Sequence, residues 1–450
     1  MDDDDLLEDD FDDDPFDDDE PEGDELPDGE DESPRHEVNV VGGVWGDLVG
    51  QDHAIATLRR AVAAADAVLA QATRLPDAHS EAGLEHAMTH AWLITGPPGS
   101  GRSNAARAFA AALECPDGGC GVCNACTTAL SGAHPDVTLV RTEQLSIGVD
   151  QVRELALKSA LRPARRRWQV IVIEDADRVT DKGANALLKS LEEPPARTVW
   201  VLCAPSADDV IMTIRSRTRE VRLVTPSDDA VAELLVRRDG VDLATARRAA
   251  RAAQGHIGRA RALATDAQAW QRREAILALP GSLTSLNACL QAAARLIESA
   301  QKDAEAITAP LDAKERAALN EALGIGGGTK PRNAQSAINE LEDQQKARAK
   351  RLQRDSLDRV ITELTAWYRD VLAVQIGAVE PEPALAGARP AGPGLINPQQ
   401  SDAIRQTAAA LDASQILRRI DALLLARTRL ESNVTPLLAM ESLLIALGQF

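Results

Sequence analysis

Residues 90–103 read His90 Ala91 Trp92 Leu93 Ile94 Thr95 Gly96 Pro97 Pro98 Gly99 Ser100 Gly101 Arg102 Ser103. An apolar run, a glycine-rich turn and a hydroxyl residue opening an alanine-rich helix make a cradle for phosphate out of backbone N–H groups. The spacing is that of a P-loop, with Gly96, Gly99 and Gly101 in the turn and Ser103 behind it. Where such a loop needs lysine, a compact charge between the terminal phosphates, this chain has Arg102, whose broad planar fork does not replace a point charge. The stretch predicts the frame of a nucleotide site with an altered centre, and leaves passive nucleotide binding open.

Outward from this loop, β-rich runs at Trp92–Thr95, Val137–Val140, Gln169–Ile173, Thr198–Cys203 and Glu220–Leu223 are spaced far enough apart for a helix in most gaps. Continuous apolar runs separated by helices predict a parallel sheet covered on both faces. Upstream, residues 44–52 lead into a helical pattern from Ala54 to Ala65 that continues to about Ala72, and residues 73–89 read as a loop or insertion. Beyond Pro226 the strand pattern stops. Helices at Asp228–Arg237 and Leu243–Gln254, closed by residues 255–260, predict a small lid. A longer helical region runs from about Ala275 to Phe450, interrupted at 324–331 and 377–398.

The predicted fold is an α/β P-loop domain with a five-stranded parallel sheet (37–225), carrying a zinc module of four cysteines at 115–126. A helical lid (226–275) and an all-α C-terminal domain (276–450) follow it. Residues 1–36 precede it as an acidic tail. Residues 1–33 hold 21 of the 70 acidic side chains and no Lys or Arg, so the net charge of -21 comes from this run, and the other 417 residues balance 49 basic against 49 acidic groups. The run repels itself and has little apolar surface, which predicts disorder. It reads as a solubilising tail or, in a sharper reading, as a flap that mimics DNA. No signal peptide or stretch long enough to span a membrane is apparent, so a cytoplasmic protein without membrane contact is expected.

The strand Val170–Ile173 ends in Glu174 Asp175 Ala176 Asp177. A working P-loop ATPase ends this strand in an Asp that holds the metal-bound water, followed by a Glu that polarises the attacking water. Here the order is reversed, and a register slip would put Ala176 in the base position, so hydrolysis is not expected. Cys115, Cys120, Cys123 and Cys126 offer four thiolates in twelve residues, which suits a closed structural Zn2+ site better than a redox pair. Cys203 and Cys289 read as core residues, and His134 and His256 as hydrogen-bonding residues in turns. Arg215, Ser216, Arg217, Thr218 and Arg219 precede the last strand. Such a run is usually a solvated edge, although in oligomeric P-loop ATPases an arginine here reaches the neighbour's terminal phosphate. Residues 183–195 read as an amphipathic helix stopped by Pro194 and Pro195.

Together, Val49 Gly50 Gln51, the loop Gly96 to Ser103, the cysteine cluster, Asn185 Ala186 Leu187 Leu188 Lys189 with Leu191 Glu192 Glu193 Pro194 Pro195, and Ser216 Arg217 resemble the clamp-loader branch of the AAA+ ATPases, in particular its delta' subunits. The resemblance covers residues 40–265 well. It implies a role in DNA replication within a five-subunit ring, in which gamma/tau motor subunits bind ATP, delta opens the sliding clamp and delta' is a rigid stator. Clamp and primed DNA would be met through the complex, and the C-terminal helices would form an oligomerising collar. The motor pattern has Lys at Arg102, Asp-Glu at Glu174 Asp175, cysteine at Thr218 and a lid arginine near Gly258, one residue from Arg259. These departures imply a subunit that does not turn over ATP, whereas Ser216 and Arg217 are kept for a neighbour's site. Two other readings stand beside it. One is an active motor of the same family that tolerates Arg102. The other, a zinc-dependent nucleic-acid-binding module, is opposed by the neutral body and by a cysteine segment without Lys, Arg or aromatic residues.

Overall fold

A computed structural model of the chain describes residues 42–71, 87–141, 146–165, 167–323, 334–379, 394–432 and 434–448. The acidic tail, most of the expected loop at 73–89, the expected break at 324–331 and most of 377–398 lie outside the described residues.

Helix α1 (Asp52–Gln71) precedes β1 (Ala91–Thr95), which leads through the glycine-rich loop into α2 (Arg102–Glu114) and α3 (Asn124–Ser131). There follow β2 (Val137–Val140), α4 (Val149–Ser159), β3 (Gln169–Ile173), α5 (Asp181–Glu192), β4 (Thr198–Ala204), α6 (Met212–Arg215) and β5 (Arg219–Arg222). All pairings are parallel, in the order β2-β3-β4-β1-β5. The sequence period explains the layers, because alternate residues of a strand face opposite sides. Trp92, Ile94, Val170, Val172, Val199 and Val201 pack under α1 and α2, while Leu93, Ile171, Ile173, Trp200 and Leu202 pack under α4 and α5. The loop after β1 therefore emerges at the carboxyl edge of the sheet, where β1 is flanked by β4 and β5 and the chain reverses direction across the sheet, the usual place for a ligand crevice.

The strands fall within a residue of their expected places. The largest shift is β5, which begins at Arg219 rather than Glu220. As the edge strand it is exposed at Arg219, Glu220 and Arg222, and so lacked the apolar mark of the inner strands.

Three lid helices follow, α7 (Asp228–Asp239), α8 (Leu243–Ala253) and α9 (Ile257–Thr265). Their N-termini are capped by Ser227, Asp242 and His256, whose side chains accept the N–H of Ala230, Thr245 and Arg259. The third helix differs from the expected closing turn at 255–260. His256 supplies a cap that a Gly-His-Ile-Gly stretch conceals, and Gly258 falls in the first helical turn.

The C-terminal bundle comprises α10 (Ala267–Leu277), α11 (Leu279–Ser282), α12 (Leu286–Ala322), α13 (Ala334–Gln375), α14 (Ser401–Ala410), α15 (Ala413–Glu431) and α16 (Pro436–Leu447). Helices α12 and α13 are antiparallel, since Arg348 meets Asp312 at 2.6 Å while Ser356 lies opposite Asp303 at 3.5 Å. Leu357, Ile361, Leu364, Trp367, Tyr368 and Val371 of α13 anchor the core, with buried Cys289 against it. No helix among the described residues is long and apolar enough to cross a membrane.

A buried polar network joins the lid to the bundle. Arg259 of α9 and Arg273 of α10 both bond to Glu363 of α13, with Arg273 Nε 3.0 Å from Oε2. Arg273 also reaches Asn397, which Asp370 holds by two bonds of 2.8 and 2.9 Å. Burial pulls the Arg273 pKa down, and Glu363 opposes that shift. Removing one member of such a group strands the others as unpaired buried charge, at about 3 kcal/mol or more. Glu363→Gln should lower stability to urea by about 3 kcal/mol; a loss well below 1 kcal/mol would show that the network is not needed.

Candidate functional site

The loop between β1 and α2 is built from backbone that only glycine adopts easily, with Gly99 at φ 83° and Gly101 at φ 94°. Gly99 also needs to lack a side chain, because a Cβ there would lie 2.2 Å from Cγ of His256. The Ile257 N–H bonds to the Gly99 carbonyl at 3.3 Å, so the lid rests on the loop. Gln51, buried, accepts the Val224 N–H at 3.0 Å and donates to the Val224 carbonyl at 2.7 Å, with a longer bond to Ser100 O. It thereby stitches the loop to the residues following β5, the physical content of the Val49 Gly50 Gln51 stretch. Arg102 opens α2, yet its Nη1 turns back to donate to Gly96 O at 2.7 Å. A cavity of about 1780 Å3, lined in part by Pro98, Arg102, Asp175, His256, Arg259 and Arg351, opens beside the loop.

Glu174 and Asp175 follow β3 at the same edge, so Gly96, Gly99, Gly101, Arg102, Ser103, Glu174 and Asp175 share the carboxyl end of the sheet. Glu174 is buried, and its Oε1 takes both Nε and Nη2 of Arg107, at 2.8 and 2.7 Å. Asp175 Oδ2 receives Nη2 of Arg351 of α13 at 3.3 Å. Asp177, at the mouth of the cavity, has its carboxyl pKa pushed up by burial. These residues do not fit magnesium and a nucleotide triphosphate as they stand. The carboxylates that would serve a metal each carry a guanidinium of this chain, and the charge meant for phosphate is turned onto the loop's own carbonyl. Sequence reading missed Arg107 and Arg351. A signal for Arg107 exists, because it interrupts the buried alanine-rich run from Ala105 to Leu113, and charge in such a run must be paired. Arg351 lies 176 residues from its partner and leaves no local trace.

The four cysteines form a separate cluster at the C-terminal end of α2, and all are free thiols. Their sulfur atoms lie within 4.8 Å of one another, with Cys115 Sγ 3.7 Å from both Cys120 and Cys123. Thiolates at about 2.3 Å from a tetrahedral zinc stand roughly 3.8 Å apart, so the donors fit that ion. The N–H groups of Asp117, Cys120, Gly121, Cys123 and Cys126 point at the sulfurs from 3.4 Å, which stabilises thiolate. The N–H groups of Val122 and Cys123 lower the Cys120 pKa to about 7. Bound zinc would tie the end of α2 to the start of α3, a structural duty.

Arg217 stands at the other end of the sheet. Register pairs Trp92 with Arg219 and Thr95 with Arg222, so Arg217 precedes β5 while the glycine loop follows β1, roughly 20 Å apart at 3.3 Å per residue. Its Nε donates to Glu192 at 2.8 Å and its Nη1 to Thr213 O at 2.9 Å and Ser216 Oγ at 3.1 Å. Neither Ser216 nor Arg217 lines the cavity by the loop. Arg259 does, but it is committed to Glu363.

Behind the cysteines, Glu114, His134 and Asp136 form a buried group. His134 Nδ1 accepts the Asp136 N–H at 3.2 Å, which puts the ring proton on Nε2, 4.0 Å from Glu114 Oε2. Its Nδ1 thus serves as a hydrogen-bond acceptor, in line with its reading as a hydrogen-bonding residue, while Nε2 and Glu114 Oε2 are buried without a hydrogen-bond partner among the described residues. Burial raises the Glu114 pKa to about 8. A raised carboxyl pKa means the fold prefers the protonated form, so its contribution is full below the unfolded value near 4.5 and is lost as pH rises toward 8. Glu114→Gln should therefore raise the melting temperature at pH 8.5 relative to the parent but not at pH 4; equal shifts at both would contradict this. Purified protein should contain one zinc per chain, and Cys126→Ser should lose it. Native protein without metal, its four thiols freely titratable, would exclude the site.

Residues 78–227 match the protein family described as DNA polymerase III, delta subunit. A DNA polymerase III subunit gamma/tau of Mycobacterium tuberculosis is 34% identical over 177 residues, 34% of this chain and 31% of the relative. The subunit delta' of Escherichia coli is 35% identical over 202 residues, 44% of this chain and 59% of the relative. That of Pseudomonas aeruginosa is 37% identical over 157 residues, 33% of this chain and 47% of the relative. The matches thus span between 31% and 59% of these curated relatives' length. Over its P-loop domain the chain is thus similar to the delta' and gamma/tau subunits of DNA polymerase III.

Proposed function

We propose that this chain is a delta'-type stator subunit of a DNA polymerase III clamp loader. It hydrolyses no ATP itself, gives Arg217, backed by Ser216, to the site of a neighbouring motor subunit, and takes part through the assembled ring in loading the sliding clamp onto primed DNA. In this reading residues 37–225 are the P-loop domain with its structural zinc, 226–275 the lid and 276–450 the collar that meets motor and delta subunits. The observation that carries it is the pairing of a surface arginine, out of reach of the chain's own loop, with a loop whose central cation is bonded to the loop's own carbonyl, Gly96 O. Releasing Arg217 means giving up its ion pair with Glu192 and its exposed bonds to Thr213 O and Ser216 Oγ. Its partner Glu192 has a half-exposed side chain, and exposed ion pairs are worth about 1 kcal/mol or less.

An active gamma/tau-type motor is the second reading, favoured by the 34% identity with a gamma/tau subunit. Turnover separates the two. The isolated chain should release no phosphate from ATP, and Arg217→Ala should lower the ATPase of the complex formed with a motor subunit severalfold while its sedimentation is unchanged. Unaltered turnover in that variant would remove the finger role; steady turnover by the isolated chain would make it a motor.

A further inference from the structure

We infer that the groups that would hold magnesium and phosphate are already engaged by the chain's own arginines, and that α13 of the C-terminal bundle is the strap that keeps Asp175 so. Arg102 holds Gly96, Arg107 holds Glu174 and Arg351 holds Asp175, so a nucleotide with magnesium must displace these pairs, and α13 supplies the one that comes from outside the P-loop domain. This rests on the stator reading and deepens it, by giving the loss of nucleotide binding a physical cause beyond the missing lysine.

Several observations place α13 in that role. Arg351, Arg354, Asp355 and Arg359 recur at helical spacing and line the cavity together, so one face of α13 forms a wall of it. The Arg351–Asp175 contact is largely screened from water, with side-chain exposures of 16% and 22%, so it is not a solvated surface pair. Arg348, one turn earlier, is held by Asp312 and Glu315 of α12 at 2.6 Å each, which fixes the helix against sliding. One turn beyond Arg359, Glu363 grips Arg259 of the lid. The same helix thus holds the strand edge through Asp175 and the lid through Arg259, the two walls between which a nucleotide would lie. Arg107 engages the neighbouring carboxylate from α2, both of its donors lying on an oxygen of Glu174, whose side chain is 6% exposed.

The test is binding of N-methylanthraniloyl-ATP with magnesium to the full-length chain, to R351A and to R102K/R107Q/R351A, with folding checked by circular dichroism and phosphate release followed in parallel. R351A should bind about threefold tighter than the parent, and the triple variant at least about tenfold tighter. Folded variants that bind no tighter than the parent overturn the inference; if only R351A folds, it decides alone. Parent protein that binds as tightly as its variants without releasing phosphate sinks this inference and leaves the stator reading standing, whereas phosphate release by the parent removes the stator reading itself.

Discussion

A carboxylate at the carboxyl end of a buried parallel strand needs a cation, because the cost of leaving it unpaired in that setting exceeds what packing returns. Glu174 sits in that position, beside the loop where a P-loop enzyme keeps its metal and phosphates. This chain meets the need internally. Arg107, five residues into α2, lies on Glu174 through two donors, and the stability of the sheet edge no longer depends on a ligand. Beside that internally neutralised edge, the guanidinium of Arg102 satisfies Gly96 O.

From that local fact the rest follows by connection. Asp175, the next carboxylate, is reached by Arg351 from the far bundle, and Arg351 belongs to the helix that also carries Glu363 and Trp367. The lid, the P-loop edge and the bundle core therefore share α13. In a P-loop protein that cycles, lid and loop must shift against each other as ligands come and go. Here that shift would break the Arg259–Glu363–Arg273 group and the Asp175 contact together.

The fold was legible where physics acts at short range. The glycine spacing of residues 96–101, the two-faced apolar strands and the four cysteines each leave a periodic or compositional mark. The edge strand β5 drifted because three of its four residues are charged, and α9 was missed because its cap is a histidine between glycines. The candidate site was legible only in part. Gly96, Arg102, Glu174 and Asp175 were identified as neighbours from motif order, yet what neutralises them was not. The Arg351–Asp175 and Arg259–Glu363 pairs bridge 176 and 104 residues, and a charged residue on a helix face looks the same whether it meets solvent or a partner far along the chain.

This division also bears on why Arg217 is presented outward. The parallel sheet has two ends, and everything that would bind a nucleotide in cis is at the carboxyl end, where the strands' register fixes Gly96 and Glu174. The turn before β5 is at the other end, and its geometry is set by α6 and by Glu192 of α5, not by the loop. The arginine pairs at the cis site therefore leave the Arg217 turn undisturbed, since no side chain is shared between the two. On the proposed stator reading, a subunit built this way gives up its own turnover without losing what it offers a neighbour, and with α13 tied to both lid and loop it offers Arg217 from a support that does not move with ATP.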